Sequence, residues 1–292
     1  MKLAAIDIGS NAARLLIADV RLLKKNKPEF IKSNLIRVPL RLGFDVFESG
    51  TISKEKTQHI LSTMKAYRHL LDAYEVQHVK ACATSAMRDA KNGEMIIQQI
   101  KETTGLEIEI ISGDREAALI YESHAADTFT KDESYLYIDV GGGSTELTCF
   151  TNGAMSFKRS FNIGTIRLLK QQVTELQWEE MKNYIRNQAK GTKKIVGIGS
   201  GGNINKIFSL SKRKEGRPLS LELLRDYYKE FSSMSLNDRI SNFKLREDRA
   251  DVIVPALLIY INVLKWAGAQ EILVPKIGLA DGLIHSLYDT LK

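Results

Sequence analysis

The sequence predicts an α/β protein with two similar domains, and three observations lead to this fold class. A strand–turn–strand motif, AIDIGSNAARLLIADV at residues 5–20, recurs as YIDVGGGSTELTCFTN at residues 137–152. Between and after these two copies, short apolar runs alternate with amphipathic stretches, which is the pattern of strands and helices in an α/β fold. The apolar runs end at glycine-rich turns, where glycine accepts backbone conformations that other residues avoid.

The repeated motif aligns without a gap and therefore indicates a duplicated hairpin. Asp7 falls on Asp139, and Arg14 falls on Glu146. A hairpin that recurs in each half of the chain predicts two similar domains facing each other over a cleft. The alternative is a pair of unrelated hairpins that share the same turn chemistry.

The predicted domains span residues 1–125 and 126–292, with the boundary near residues 125–131. Each domain is expected to hold a mixed five-stranded sheet with helices. The last helix, LADGLIHSLYDTLK at residues 279–292, is expected to lean back toward the first domain.

Composition and charge favour a soluble cytoplasmic protein with a polyanionic partner. The chain of 292 residues is 43% hydrophobic and carries a formal net charge of +7, which attracts nucleic acid, polyphosphate or nucleotides alike. A strand-like segment with an acid at Asp7 follows Met1 directly, so no signal peptide is expected. The apolar stretch VIVPALLIYINVLKW contains Lys265 and predicts a core helix. Cys82 and Cys149 lie in apolar runs without metal-ligand spacing, as buried free thiols do.

Asp7 and Asp139 stand at equivalent strand ends before glycine turns, with Glu146 a turn further on. A strand-end aspartate is usually a turn former. Two of them in duplicated units also suit Mg²⁺, because Mg²⁺ prefers carboxylate oxygens and the neighbouring backbone N–H groups cradle a phosphate. Asp7, Asp139 and Glu146 are therefore candidate metal ligands.

A third glycine turn, in KIVGIGSGGNINKIFSL at residues 194–210, predicts a strand, a loop and a helix that begins near Asn203. Such a connection points N–H groups and the helix dipole at an anion, although tight turns in general use glycine. Arg14 and Arg88 follow turn-like segments. They are either phosphate clamps with two parallel hydrogen bonds or ordinary surface residues.

Glu116 lies in the first turn of the helix predicted from GDREAALIYES. The simplest interpretation is a capping acid, which the helix dipole stabilises. The same dipole keeps the carboxylate ionised, and an ionised carboxylate can orient or deprotonate an attacking water. The five histidines have no metal-site spacing, and the chain contains neither a Walker A motif nor a Gly-x-Ser-x-Gly elbow.

Together these motifs resemble one known family. The segments AIDIGSNAARLLI, RLG (41–43), ATSAMRDAKNG, IEIISGDREAALIY, YIDVGGGSTEL and REDRADVIVPALLIY are similar, in this order, to the exopolyphosphatase and guanosine pentaphosphate phosphohydrolase (Ppx/GppA) family. The resemblance covers nearly the whole chain. It implies an α/β fold of two duplicated ribonuclease-H-like (actin-like) domains.

The resemblance also implies a hydrolase that releases phosphate from inorganic polyphosphate, with short chains preferred, or from pppGpp. Glu116 would act as the base, and Asp139 and Glu146 would serve Mg²⁺ or Mn²⁺. The expected phosphate-binding residues are Gly9, Ser10, Asn11, Arg14, Arg88, Gly141, Gly142, Gly143, Ser144, Thr145, Gly199, Ser200, Gly201 and Gly202. A homodimer that binds polyphosphate or guanosine penta- or tetraphosphate, without nucleic acid or membrane as a partner, is expected.

Several positions depart from the family pattern. Ala12 replaces a frequent serine, Arg115 replaces the first member of a Glu–Glu pair, and Asn203 replaces a frequent threonine. These departures motivate an alternative, in which the protein is a sensor that binds polyphosphate or (p)ppGpp with little turnover. A kinase of the same superfamily is a third hypothesis, which transfer of phosphate from ATP to an acceptor would reveal.

Overall fold

The computed structural model describes residues 1–23, 28–122, 133–152, 154–192, 194–275 and 278–292. The chain divides into two compact units, Met1–Ser123 with Gly278–Lys292, and His124–Ile277. The predicted domain boundary at residues 125–131 lies outside the described residues. The C-terminal segment, which the predicted division assigned to the second domain, groups with the first unit.

The first unit contains one mixed sheet of five strands in the order β3-β2-β1-β4-β5. The β1–β2 and β2–β3 pairs are antiparallel, whereas β4 runs parallel to both β1 and β5. The strands are β1 (Lys2–Ile8), β2 (Ala12–Leu22), β3 (Pro28–Pro39), β4 (His78–Ala83) and β5 (Ile108–Ile110).

The second unit contains a mixed sheet in the order β10-β11-β9-β6-β7-β8. Its described strands are β6 (Ser134–Val140), β7 (Thr145–Thr151), β8 (Ala154–Phe161), β9 (Ile195–Ser200), β10 (Leu219–Ser220) and β11 (Glu271–Leu273). The prediction of five strands was wrong here, because β10 adds a sixth strand of two residues at the edge. A segment this short has no periodicity that sequence reasoning could detect.

The two sheets share their topology, which confirms the duplication predicted from the repeated hairpin. In both, an antiparallel three-stranded meander is followed by two parallel strands, with β6, β7, β8, β9 and β11 in the places of β1, β2, β3, β4 and β5. The hairpin register is also the same: Asp7 faces Arg14 across β1 and β2, and Asp139 faces Glu146 across β6 and β7.

Helices connect the strands in both units. The helices are α1 (Leu42–Ser49), α2 (Lys54–Ala73), α3 (Ser85–Asp89), α4 (Gly93–Thr104), α5 (Gly113–Glu122), α6 (Thr165–Leu169), α7 (Glu175–Ala189), α8 (Gly202–Leu210), α9 (Leu221–Ser233), α10 (Leu236–Phe243), α11 (Glu247–Ala250), α12 (Ile253–Ala267) and α13 (Leu279–Thr290). Strands alternating with helices confirm the predicted α/β class.

The core of the first unit lies on both faces of its sheet. On one face, α13 buries Leu279, Leu283 and Ile284 against side chains of β1 and β2. Helix α2 is amphipathic and buries one stripe of side chains, as a surface helix does. The hydroxyl of Tyr67 on α2 donates a hydrogen bond to the Ala13 carbonyl at 3.1 Å, which ties α2 to β2.

The core of the second unit surrounds α12, which confirms the predicted core helix. Eight of its residues are buried, among them Leu257, Tyr260 and Leu264, and they pack in one cluster with strands β6, β7 and β9. By length and composition alone, the segment Glu247–Ala267 could cross a membrane, but 61% of its most apolar window is buried inside the structure.

Candidate active site

The candidate residues of the first unit gather at the turn between β1 and β2. Asp7, at the end of β1, is only 2% exposed, and its Oδ2 accepts a hydrogen bond from Arg14 Nη1 at 2.6 Å. The turn is closed by a hydrogen bond from the Gly9 N–H to the Ala12 carbonyl at 3.0 Å. The predicted metal ligand and the predicted phosphate clamp thus form a partly buried ion pair with each other.

The Gly9–Asn11 turn is fixed by two neighbouring segments. The Asn11 carbonyl accepts hydrogen bonds from the Leu40 and Arg41 N–H groups at 3.1 and 2.9 Å, and the Ser10 carbonyl accepts one from Gly43 at 2.8 Å. The Ser10 hydroxyl lies 2.8 Å from that of Ser85, at the start of α3. Because these bonds engage the turn's carbonyl groups, its conformation does not depend on a ligand.

Arg88 lies on α3, directly after the strand end at β4. Its Nη1 donates to the Ile111 carbonyl at 2.9 Å, and its Nε lies 3.6 Å from Asp89 Oδ1. A guanidinium has five N–H donors in a fixed plane, so these contacts orient the group and still leave donors for an anion.

Glu116 lies in the first turn of α5 and is half-buried. Ser112 caps this helix: its hydroxyl accepts from the Arg115 N–H at 3.2 Å, and its carbonyl accepts from the Glu116 N–H at 3.0 Å. Since Ser112 performs the capping, the Glu116 carboxylate is not required for it.

Glu116 and Asp7 act on a common neighbour within the first unit. Cys82 pairs with Asp7 across β4 and β1. Burial raises the pKa of the Cys82 thiol well above its usual value, and the negative charges of Asp7 and Glu116 raise it further. The thiol therefore stays protonated, as predicted for a structural cysteine.

The second unit places Asp139 and Glu146 side by side, as neighbours across β6 and β7. Glu146 is 3% exposed, and its Oε1 accepts hydrogen bonds from the hydroxyls of Ser144 at 2.6 Å and Ser160 at 2.9 Å. The two hydroxyl donors hold this carboxylate oxygen in a fixed position.

Helix α6 holds the loop that contains Gly141, Gly142 and Gly143. The Thr165 N–H donates to the Gly141 carbonyl at 3.0 Å, and the Ile166 and Arg167 N–H groups donate to the Gly142 carbonyl at 2.9 and 3.3 Å. Arg167 Nε donates to the Gly143 carbonyl at 2.8 Å. These four bonds fix three consecutive carbonyl groups.

The orientation of these carbonyls decides where the loop's N–H groups point. In a planar trans peptide the C=O and N–H bonds point in opposite directions. With the carbonyls of Gly141, Gly142 and Gly143 turned toward α6, the N–H groups of Gly142, Gly143 and Ser144 are directed away from it. Consecutive amides fixed in this way form a nest for an anion.

Gly164, just before α6, allows this close approach. A β-carbon at this position would lie 2.4 Å from the Gly142 carbonyl oxygen and 2.5 Å from the Gly143 carbonyl carbon. These distances are far below van der Waals contact, so any side chain here displaces the loop.

The β9–α8 connection places the last predicted phosphate loop beside Asp139. Asp139 pairs with Ser200 across β6 and β9. Gly201 has φ +100°, a conformation that favours glycine, and a β-carbon there would lie 3.2 Å from Asp139 Oδ1. The two glycine loops of this unit therefore lie on either side of Asp139.

A buried tyrosine supports this connection. The Tyr260 hydroxyl on α12 donates to the Ser200 carbonyl at 2.6 Å. Burial raises the pKa of Tyr260 well above its usual value, and the charge of Asp139 adds to the effect. The phenol therefore remains a hydrogen-bond donor at all physiological pH values.

Sequence reasoning did not predict several residues that shape this site. Arg249 lies against the start of α8, since a β-carbon on Gly202 would be 2.7 Å from its Nη1. The other missed residues are Ser160, Gly164, Thr165, Arg167 and Tyr260. Arg249 and Tyr260 lie in the segment REDRADVIVPALLIY, whose resemblance to the family is the signal that points to them.

The donor set around Asp139 and Glu146 fits a hard divalent cation. Both residues offer carboxylate oxygens, which Mg²⁺ and Mn²⁺ prefer. The space next to Asp139 Oδ1 is kept free of a side chain by Gly201. In the first unit, by contrast, Oδ2 of Asp7 is engaged by Arg14, so a metal ion at Asp7 would have to compete with a guanidinium.

Comparison with known proteins agrees with this arrangement. The sequence model that describes the Ppx/GppA phosphatase family matches residues 29–291 of this chain. A bifunctional 3-dehydroquinate synthase/phosphatase of Fusobacterium nucleatum is 28% identical over 93% of this chain and 44% of its own length. A guanosine-5'-triphosphate,3'-diphosphate pyrophosphatase of Vibrio vulnificus is 33% identical over 49% of this chain and 28% of its own length.

A solved structure is similar over the full length. The exopolyphosphatase from Cytophaga hutchinsonii has a TM-score of 0.82 and 26% identity, covering 100% of this chain and 99% of that chain. The fold and the family model together define an α/β protein with two duplicated actin-like domains. The chain belongs to the Ppx/GppA phosphatase family. It spans less than half the length of the curated relatives described above.

Proposed function

We propose that the protein is a phosphohydrolase that releases terminal phosphate from inorganic polyphosphate, with short chains preferred, or from pppGpp. The observation that carries the proposal is the loop Gly141–Gly143, whose N–H groups are oriented by α6 next to the strand-end carboxylates Asp139 and Glu146. Family membership and the similarity to an exopolyphosphatase and to a pyrophosphatase support it.

Phosphoryl transfer needs positioning and charge neutralisation more than covalent chemistry. The amides of Gly142, Gly143 and Ser144 bind the non-bridging oxygens of the reacting phosphate. Preorganised N–H donors of this kind stabilise developing negative charge because they need no reorganisation during the reaction. The Gly9–Asn11 turn and Arg88 of the first unit hold further phosphate oxygens.

Asp139 and Glu146 would hold Mg²⁺ or Mn²⁺. When bound, the divalent ion supplies charge neutralisation for the phosphoryl group. The hydrogen bonds from Ser144 and Ser160 orient the Glu146 carboxylate for this task. Tyr260 holds the Ser200 carbonyl and so keeps the Gly201 backbone in place beside Asp139.

Glu116 is proposed as the general base. It orients the attacking water and accepts its proton as the oxygen attacks the terminal phosphorus and the bridging P–O bond breaks. The helix dipole of α5 favours the ionised carboxylate that this role needs. Ser112 already caps the helix, so the cap does not depend on the Glu116 carboxylate.

The test is phosphate release by the parent protein and by Glu116→Gln, using short polyphosphate and pppGpp with Mg²⁺ or Mn²⁺. Loss of a general base lowers kcat by roughly 100- to 10,000-fold, and we expect KM to change little because the substitution is isosteric. Glu102→Gln, on the exposed face of α4 in the same unit, is the matched control and should retain full activity.

Two outcomes would contradict the proposal. If Glu116→Gln releases phosphate as fast as the parent protein, Glu116 is not the base. If the parent binds polyphosphate or ppGpp but releases no phosphate with either metal, the sensor hypothesis replaces the hydrolase.

A further inference from the structure

Arg41 has a backbone conformation that is unusual for a residue with a side chain. Its φ and ψ are 53° and 37°, in the left-handed region, immediately before α1. This conformation costs an L-residue roughly 1–2 kcal/mol, and glycine escapes the cost. Such strain persists only where the surrounding structure holds the backbone in place.

The backbone of Arg41 is tied to the Gly9–Asn11 turn. Its N–H donates to the Asn11 carbonyl at 2.9 Å, and its own carbonyl accepts a hydrogen bond from Lys56 Nζ at 2.7 Å. The backbone from which the Arg41 side chain extends is therefore hydrogen-bonded directly to the turn that we propose to bind phosphate.

The guanidinium of Arg41 is held by an aromatic ring. Its Cζ lies 4.0 Å from the centroid of the Phe44 ring, which is a cation–π contact. Stacking restricts the side chain to few rotamers and occupies one face of the guanidinium. The N–H donors in the guanidinium plane suit phosphate oxygens, which they can bind in pairs.

A second cation, Lys56, contacts the Arg41 carbonyl and is itself paired with an acid. The acid closest in sequence is Asp45, whose two carboxylate oxygens are engaged by Lys56 Nζ at 2.5 Å and by the Ser53 N–H at 3.0 Å. Asp45 thus balances Lys56, just as Asp7 balances Arg14.

We propose that Arg41 is a substrate-binding residue whose guanidinium, positioned by Phe44, binds phosphate oxygens of the polyanion held at the Gly9–Asn11 turn. This inference rests on the proposed function and adds to it a specific contact in the first unit. The ligand is the phosphate chain itself, so the contact is shared by inorganic polyphosphate and by the phosphates of pppGpp.

The test uses Arg41→Gly, because glycine adopts the observed φ without strain. Inorganic tripolyphosphate is the probe for the dissociation constant, and phosphate release from polyphosphate and pppGpp gives KM and kcat. Losing a charge-assisted hydrogen-bond pair weakens binding by roughly 10- to 100-fold. We expect this rise in Kd and KM, little change in kcat, and a thermal midpoint equal to or above that of the parent.

Two further variants serve as controls. Arg68→Ala removes the same charge from α2 in the same unit, where Arg68 pairs with Asp72, and should leave Kd unchanged. Arg41→Lys keeps the charge without the planar fork and should restore binding only in part. A merely structural role for Arg41 would instead lower the thermal midpoint of Arg41→Gly and leave Kd unchanged.

The outcomes separate this inference from the proposed function. If the parent binds tripolyphosphate and Arg41→Gly binds it with the same Kd, the inference is overturned and the proposed function is not affected. Weaker binding of pppGpp with unchanged binding of tripolyphosphate also overturns it, since the contact would then be to a part of pppGpp that tripolyphosphate lacks. If the parent binds tripolyphosphate more tightly than Arg41→Gly does but releases no phosphate, the inference is supported and the proposed hydrolase activity is overturned. A parent that neither binds nor releases phosphate overturns both.

Discussion

At the scale of single residues, the second unit shows how small side chains orient a loop. Gly164 has no chemical group of its own, yet it lets α6 approach the loop closely enough to bind the Gly141 and Gly142 carbonyls. Ser144 and Ser160 likewise act through Glu146, whose plane they fix. In this unit, residues without a proposed role in substrate binding determine the geometry of those that have one.

Gly164→Ala should therefore impair activity more than the small volume of the added methyl group suggests. The new methyl group would overlap the Gly142 carbonyl, so the loop must shift, and overpacking of this kind costs roughly 1–3 kcal/mol of stability. We expect kcat/KM for polyphosphate to fall by roughly 100-fold, because a displacement near 1 Å in a positioned site has an effect of that size.

The control for this prediction is Gly278→Ala, where a β-carbon would meet nothing within 4 Å. Steady-state kinetics and thermal denaturation of both variants check it. Parent-like kcat/KM in Gly164→Ala would show that the loop tolerates displacement and is not a phosphate nest.

At the scale of secondary-structure elements, the duplicated hairpin has diverged in charge while keeping its register. Asp7 and Asp139 occupy equivalent positions, but the residue opposite is Arg14 in one hairpin and Glu146 in the other. The first pair neutralises itself, whereas the second concentrates negative charge that suits a cation. The same hairpin thus presents an ion pair in one unit and two carboxylates in the other.

Helix α13 is an element of the first unit that the chain contributes from its far end. Leu283 is 1% exposed and packs in the cluster with β1 and β2. Leu283→Ala should lower the free energy of unfolding by roughly 2–5 kcal/mol, the usual cost of a buried leucine cavity. Denaturant unfolding monitored by circular dichroism measures this loss.

Hydrogen exchange locates the effect of this substitution. Amide exchange should accelerate in β1 and α5, against which α13 packs, and much less in α12. Leu291→Ala, at a residue that is 40% exposed, is the control and should behave like the parent. Unchanged exchange in β1 and α5 for Leu283→Ala would show that α13 does not stabilise the first unit.

At the scale of the whole molecule, net charge affects binding of the proposed substrates. With a formal charge of +7, the protein attracts polyanions. Salt shortens the range of this attraction, because the Debye length falls from about 30 Å at 0.01 M to about 8 Å at 0.15 M ionic strength. KM for polyphosphate should therefore rise several-fold over this range, while kcat stays nearly constant.

Steady-state kinetics in potassium chloride measure this dependence, with sucrose as an uncharged control for osmotic effects. A KM that is independent of ionic strength would mean that only local contacts, and not the overall charge, govern binding.

The sequence by itself determined the α/β class, the duplication and the family, because these depend on periodicity, on a gapless repeat and on consecutive residues such as those at 137–147. It also indicated Asp139 and Glu146 as candidate metal ligands of one hairpin, and the structure places them opposite each other across β6 and β7. Glu116 as the base and the metal ligands remain predictions.

Only the tertiary structure decided the contacts between residues far apart in the chain. The bond from Tyr260 to Ser200 spans 60 residues, and Lys56 reaches Arg41 from the next helix. The sixth strand, β10, is of the same kind, whereas the grouping of α13 with the first unit agrees with the expectation that the last helix leans back toward the first domain. Local sequence patterns indicate whether a segment forms a helix or a strand. Which side chains come into contact depends on how these segments pack together, and the spacing of residues along the chain does not encode this packing.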